Sequence, residues 1–372
     1  MKYKEIPMIE LTKIYKKYRS ALLSSIDEVL KSGKYILGPK VSEFEDTISK
    51  WLGVKYALGV NSGTDALKLA LKSIDLKERD EVITTPFTFI ATAETIIEIG
   101  AKPIFVDIDL ETFNINPKNI TNKISSKTKA ILIVHLFGLP CNMSEITSIC
   151  KENSLLLIED VAQAFGSMYK NNYTGQFGNI SCFSFYPTKN LFTYGDGGLI
   201  ITNNYHTYEK CKLLRNHGIK QNYEGDFFGY NSRLDAIHAA ILLTFLPYLN
   251  ELNDLRRKIA HFYNDNLKNT PDIIIPKEID NAKHVYNLYT IRVLNNKRDY
   301  LRTFLLSKQI NTTIYYPKPL HLTKPFYFLN HKVGDFPNAE QAAKEVLSLP
   351  LYPYMPLHFV KKICKTINEA MK

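Results

Sequence analysis

The sequence predicts an α/β protein: a large domain on a mostly parallel, mixed sheet, then a smaller α+β domain at the C-terminal end. Three observations carry this. Apolar runs such as Ala130–Val134 and Leu155–Ile158 lack the alternation of a half-exposed strand and read as strands buried on both faces. These runs alternate with stretches of helical spacing, the order of a sheet covered by helices. At 372 residues the chain exceeds the usual size of one hydrophobic core, which favours two domains.

Taken in order, Lys55–Val60 reads as a strand and Thr64–Ser73 as a helix with Leu67, Ala70, Leu71 and Ile74 on one face. Glu81–Thr84 is a strand, Ala91–Ile99 a helix and Pro103–Asp107 a strand. Thr128–His135 and Leu155–Asp160 are strands with a helix near Met143–Glu152 between them. From Ser181 to Asn203 the pattern becomes strand, Gly-rich turn, strand. A long helix follows from about Arg233, bending near Pro247 and running to about Leu267. Strand-like Val285–Val293, a helix over Asp299–Lys308, a Pro-rich segment and a C-terminal helix complete the chain. The expected division is residues 1–250 for the large domain and 251–372 for the small one, the long helix forming the joint.

Composition excludes several classes. Hydrophobic residues make up 45% and charged residues 23%, ordinary for a soluble globular protein, and no apolar run approaches a membrane span. The N-terminal residues lack the apolar stretch of a secretion signal, so a cytoplasmic protein is expected. Five scattered cysteines without C-x-x-C, and histidines without H-x-x-x-H spacing, argue against a disulfide framework and against a metal site. The net charge of +10 is spread along the chain without a basic run, so no nucleic-acid partner is expected; local positive charge suits a diphosphate-bearing small substrate equally well.

The chemistry concentrates around Lys189 and Asp160. Asp160 closes an apolar strand, where a carboxylate is partly desolvated and needs a cationic or hydrogen-bonding partner. A protonated pyridine nitrogen would serve, and so would an unrelated lysine or arginine. Lys189 follows in a turn bracketed by short apolar strands, with Ser184 five residues earlier. A lysine amine that forms a Schiff base with an aldehyde, and a carboxylate that keeps a pyridine nitrogen protonated, are the minimum equipment for pyridoxal phosphate. Gly63 and Thr64 open a helix after a strand, which suits a phosphate; the Ser62-x-x-Asp65 spacing equally fits an ordinary capping box. Phe89 lies past a strand end on the ligand side, either as a ring to stack on a flat cofactor or as core. Gly195-Asp196-Gly197-Gly198 precedes a strand and no helix, so it reads as a tight turn and not as a dinucleotide loop.

Asn61-Ser62-Gly63-Thr64-Asp65-Ala66-Leu67, Pro86-Phe87-Thr88-Phe89-Ile90-Ala91-Thr92, Val134-His135-Leu136-Phe137-Gly138 and Glu159-Asp160-Val161-Ala162-Gln163-Ala164 occur in that order. Phe183-Ser184-Phe185-Tyr186-Pro187-Thr188-Lys189-Asn190, Gly229-Tyr230-Asn231-Ser232-Arg233-Leu234-Asp235, Tyr316-Pro317 through His321, and Ser348-Leu349-Pro350-Leu351 follow. Over nearly the whole chain these resemble the DegT/DnrJ/EryC1/StrS family of pyridoxal-phosphate-dependent nucleotide-sugar aminotransferases, with the fold-type-I architecture. The resemblance implies that Lys189 carries the cofactor and shuttles protons, that Asp160 partners the pyridine nitrogen, and that Gln163 faces the ring hydroxyl. It further implies that Phe89 stacks on the ring, and that Gly63, Thr64 and Ser184 hold the phosphate. Asn231 matches a residue that reaches the phosphate from the facing subunit of a homodimer.

Within the family, lysine at position 189 favours transamination, because dehydrating members carry histidine there. Asp65 with Asn231–Asp235 resembles the subgroup that aminates C3 of dTDP-3-keto-6-deoxyhexoses, with L-glutamate as the donor by family habit and a surface glycan as the destination. Tyr186, Lys220, Tyr223, Tyr315, Tyr316 and His321 are the candidates for the sugar pocket. Two departures bear on that pocket: Asn222 stands where the subgroup often has lysine, and Tyr315 where it often has histidine. The alternatives are amination at C4 of a dTDP or UDP sugar and, in another class, a non-catalytic regulator that binds pyridoxal phosphate.

Overall fold

In the computed structural model, which describes residues 5–221, 224–225 and 227–372, one large sheet has seven strands. They are β1 (Tyr56–Val60), β2 (Glu81–Thr84), β3 (Lys102–Phe105), β4 (Thr128–Val134), β5 (Leu156–Asp160), β6 (Ile180–Ser184) and β7 (Gly198–Thr202). Their spatial order is β1-β7-β6-β5-β4-β2-β3, with β7 antiparallel to both neighbours and the other pairings parallel. This is the mostly parallel, mixed sheet that the continuous apolar runs predict: Ala130, Ile131, Leu132 and Ile133 are all fully buried.

Three apolar clusters cover the sheet's faces, one of them around Ile131, Ile133 and Leu157 under the helix Met143–Glu152. On one side, the helices Gly63–Ser73 and Ala91–Glu98 pack Leu67, Ala70 and Ile96 against Leu132 and Ile158. On the other, the helices Thr12–Ser32, Pro39–Leu52 and Ala236–Phe245 bring Leu22, Phe44 and Phe245 onto Phe183, Leu199 and Ile201. A separate core lies around a three-stranded antiparallel sheet of Ile273–Ile274, Tyr289–Val293 and Val346–Leu349. The helices Leu249–Leu267, Arg298–Ser307 and Leu357–Ala370 pack there. Ile6 joins this C-terminal core, pairing with Ile310. Among the described residues no helix is long and apolar enough to cross a membrane.

Two boundaries differ from expectation for reasons that bear on the site. The long helix starts at Ala236, not Arg233, because the segment before it is held by other partners: Ser232 N–H donates to the Arg215 carbonyl, Ala236 N–H to the Tyr35 carbonyl, and Asp235 takes an extended conformation. The chain bends near Pro247 as expected, through one 3-10 turn over Leu246–Tyr248. The strand predicted from Val285 begins only at Tyr289, because Val285 and Asn287 give their N–H groups to Gly138 and Phe137, beside the cavity described next.

Candidate active site

The ends of the parallel strands and three remote segments enclose a cavity of about 500 Å³. Sheets of this kind place ligands at the carboxyl ends of their strands, and β5 ends there at Asp160. Strand alternation sends Asp160 and its neighbour Glu159 to opposite faces. Glu159 is fully buried beneath the sheet, where its carboxylate accepts from the N–H groups of Gly175, Phe177 and Gly178 and pairs with His135 at 2.9 Å. His135 Nδ1 accepts from Cys141 N–H, which leaves Nε2 as the donor to Glu159. The strand end is therefore fixed from below.

Asp160 faces the cavity. Its Oδ2 accepts from the Thr92 hydroxyl at 3.0 Å and its Oδ1 from Ala162 N–H at 3.1 Å. Burial pushes its carboxyl above the usual carboxylate range, against these two hydrogen bonds and the nearby Lys189 charge, which favour ionisation. A cation bound next to it would reverse that rise. Lys189 lies in the turn after β6, its own N–H donating to the Tyr186 carbonyl at 2.9 Å. Desolvation lowers its amine to about 8, with Asp160 pulling the other way.

Gly63 and Ser184 meet at one end of the cavity. Ser62 caps the helix that follows, its Oγ accepting from Asp65 N–H at 3.1 Å. The capping reading thus holds for Ser62, but Asp65 makes no return bond: its carboxylate takes the Ser232 hydroxyl at 2.8 Å and lies 3.5 Å from Lys68. Gly63 and Thr64 line the cavity with the first backbone N–H groups of the helix, which have no intrahelical acceptor. A Cβ on Gly63 would stand 2.7 Å from Ser184 Cβ, and one on Gly198 only 2.2 Å from the Ser62 carbonyl oxygen. The glycines thus let the helix start, Ser184 and the β7 start converge into a cradle of donors, which fits a phosphate. Phe89 lines the same cavity and is 56% exposed, so its ring is available for stacking and is not core.

Gln163 is oriented from two sides. Its Oε1 accepts from Phe137 N–H at 2.7 Å, and its Nε2 donates to the Tyr316 hydroxyl at 3.0 Å. Its second amide hydrogen remains for a ligand. Tyr316 is thereby drawn away from a pure sugar-reading role, although it and Tyr315 both line the cavity, as does the half-exposed Tyr186. Burial pushes both the Tyr315 and Tyr316 hydroxyls up.

Three expected site residues stand elsewhere. His321 is fully buried outside the cavity wall, pairing with Glu340 at 3.2 Å and packing edge-on against Phe336, so here it is a structural residue. Lys220 is exposed on a two-stranded antiparallel sheet and does not line the cavity. Asn231 is exposed, bridged to Asn216, and outside its own chain's cavity. Tyr223 and Asn222 lie outside the described residues. Sequence reasoning passed over Thr92, Asn287, Leu288 and Ile9. Thr92 differs from the other three: fully buried, it does not line the cavity but reaches it through Asp160.

The DegT/DnrJ/EryC1/StrS aminotransferase family matches residues 17–368 of the chain. A Geobacillus stearothermophilus protein named a pleiotropic regulatory protein is 45% identical over 98% of each chain. A dTDP-3-amino-3,6-dideoxy-alpha-D-galactopyranose transaminase of Aneurinibacillus thermoaerophilus is 41% identical, over 98% of this chain and 99% of that one. A UDP-N-acetyl-3-dehydro-alpha-D-glucosamine 3-aminotransferase of Acidithiobacillus ferrooxidans is 39% identical over 98% of each. Among solved structures, S. venezuelae DesV in complex with a ketimine intermediate superposes with a TM-score of 0.96 at 34% identity, over the whole of both chains.

Proposed function

The chain belongs to the DegT/DnrJ/EryC1/StrS aminotransferase family, and from that premise we propose that it moves the amino group of L-glutamate to a dTDP-linked 3-keto-6-deoxyhexose. The product would be a dTDP-3-amino-3,6-dideoxyhexose. The observation that carries this reading is the convergence of Lys189, Asp160, Phe89 and the Gly63–Ser184 cradle on one cavity.

Pyridoxal phosphate, when bound, supplies an aldehyde and an electron-accepting ring. Gly63, Thr64 and Ser184 would hold its phosphate, Asp160 its ring nitrogen, Gln163 its ring hydroxyl and Phe89 its face. Lys189 has an amine lowered to about 8, so a useful fraction is neutral near neutral pH. Its Nζ would take the α-proton of the amino donor and later return a proton. Thr92 and Ala162 keep the Asp160 carboxylate aimed while this happens. That Asn231 is exposed and outside its own chain's cavity supports a homodimer in which it would serve the facing subunit.

Amination at C3 is supported by two relatives whose names specify that carbon. Their nucleotides differ, dTDP in one and UDP in the other, and the closer identity favours dTDP. The relative named a regulatory protein favours a second reading, a pyridoxal-phosphate-binding regulator. Against it stand Lys189, Asp160, Gln163 and Ser184 together in one cavity. Incubation with L-glutamate and a panel of 3-keto and 4-keto dTDP and UDP sugars, with the product identified by NMR, decides among these. Amination only at C4 overturns the regiochemistry, and normal turnover by Lys189→Ala overturns the enzyme reading.

A further inference from the structure

Three buried asparagines join the Lys189 turn to two distant parts of the chain. Asn190, next to Lys189, donates through Nδ2 to Asn253 Oδ1 at 2.6 Å and to the Val285 carbonyl at 3.1 Å. Asn287 donates through its own Nδ2 to Asn190 Oδ1 at 3.0 Å and to the Thr188 carbonyl at 3.3 Å. Asn253, on the helix Leu249–Leu267, closes the far end by donating to the Phe165 carbonyl at 3.1 Å. All three are buried: Asn253 is fully shielded, Asn190 is 4% exposed and Asn287 6%. The positive φ of Gly166 belongs to the same arrangement, because a Cβ there would stand 2.7 Å from Asn253 Nδ2.

The bonds run one way, Asn287 to Asn190 to Asn253 to Phe165, and grip the backbone on both sides of Lys189 through Thr188 and Asn190. A buried amide network of this kind has few alternative arrangements, because each rearrangement leaves a donor or acceptor unpaired. Asn253 and Asn190 do not line the cavity, so they cannot act on a ligand directly. The charged group that acts on Lys189 is Asp160, carried by β5, and the turn's position sets the distance between them.

We propose that Asn253 and Asn190 are positioning residues: with Asn287 they clamp the Lys189 turn to the helix Leu249–Leu267 and so hold its part-buried amine beside Asp160. This rests on Lys189 being the reactive amine of the proposed function. The clamp ties the lysine to the long helix and to the Val285–Asn287 segment, so movement of either is felt at the amine.

The test uses the cofactor-free protein, so that it does not depend on which sugar is the substrate. Wild type, Asn190→Ala, Asn253→Ala and the double variant are labelled with an amine-reactive reagent from neutral to alkaline pH, and Lys189 is followed by peptide mass spectrometry. In both single variants the labelling midpoint of Lys189 should rise by at least about half a pH unit toward the ordinary lysine value of ~10.4, while exposed Lys102 keeps its own. The double variant should shift no further than Asn190→Ala alone, since both break one chain of bonds. In protein reconstituted with pyridoxal phosphate, the rate at which L-glutamate bleaches the visible absorbance should fall about tenfold, a rise of roughly 1.4 kcal/mol in the barrier. Far-UV circular dichroism confirms folding; if Asn190→Ala does not fold, Asn253→Ala decides. An unchanged Lys189 midpoint in folded variants, a shift shared by Lys102, or additive shifts in the double variant would each overturn the clamp. Failure of wild type to aminate any sugar would instead count against the proposed function.

Discussion

Gly63→Ala tests the phosphate cradle directly. The added methyl would sit 2.7 Å from Ser184 Cβ, 3.2 Å from its Oγ and 3.3 Å from its Cα. Carbon atoms in ordinary contact lie ~3.5–4.0 Å apart, so the helix start and the β6 end must separate by roughly 1 Å. Overpacking of this kind costs about 1–3 kcal/mol. The Ser184 hydroxyl and the helix N–H groups would then no longer converge on one anion. Loss of one charge-assisted hydrogen bond, worth about 1.5–3 kcal/mol, weakens pyridoxal phosphate binding by roughly 10- to 100-fold. The assay is titration of the cofactor-free variant with pyridoxal phosphate, read by visible absorbance, beside the same titration with pyridoxal, which lacks the phosphate. The expected result is a large loss for the phosphorylated ligand and little change for pyridoxal. Equal affinity of wild type and variant for pyridoxal phosphate, or equal losses for both ligands, refutes the cradle.

Two further outcomes follow from the same geometry. Tyr316→Phe removes the acceptor for Gln163 Nε2 and leaves a buried donor unpaired, a cost of about 1–3 kcal/mol. The visible absorbance of the reconstituted protein should shift and kcat should fall, whereas a rise in sugar KM with an unchanged spectrum would return Tyr316 to a sugar-reading role. Lys189→Met tests the buried amine through stability. The folded value of about 8 lies below the ordinary ~10.4, so between those values the unfolded chain binds more protons and wild-type stability rises with pH. Cofactor-free Lys189→Met should therefore be more stable than wild type at pH 7 by roughly 1–3 kcal/mol, the part-buried position favouring the lower figure, with the gap closing above the unfolded value. Denaturant titrations across this window check it; a gap independent of pH contradicts the shift.

The strands Thr128–Val134 and Leu156–Asp160 were legible because each contains a continuous apolar run, and Asp160 because a charge at the end of such a run is costly, whereas short strands such as Ile273–Ile274 and Val346–Leu349 were not read. The helices Thr12–Ser32 and Pro39–Leu52 were missed: their apolar stripes, Ile14, Tyr18, Leu22 and Val29 in the first, are diluted by charge, and neither has a side-chain cap. Two polar residues beside the site carry a signal in their spacing. Asn253 and Arg256 fall on the buried stripe of their helix between Leu249, Leu252, Ile259 and Ala260, where a polar side chain needs a partner. His321 misled because its motif position says nothing about which way its ring points, and the Glu340 carboxylate holds it outward from the site. Ile9 and Leu288 could not be read at all, since only tertiary closure brings those segments to the cavity.

The pairing of Ile6 with Ile310 bears on how the protein is made. Ile6 N–H donates to the Gln309 carbonyl at 2.8 Å and its carbonyl accepts from Asn311 N–H at 3.1 Å, while Ile9 forms part of the cavity wall. A ribosome adding ~5–20 residues per second releases the partner segment many seconds after the first residues emerge. Until then the segment around Ile6 lacks its backbone partners, and Ile9 has no fixed place at the cavity. Closure of this side of the cavity therefore waits until the segment around Ile310 has been made.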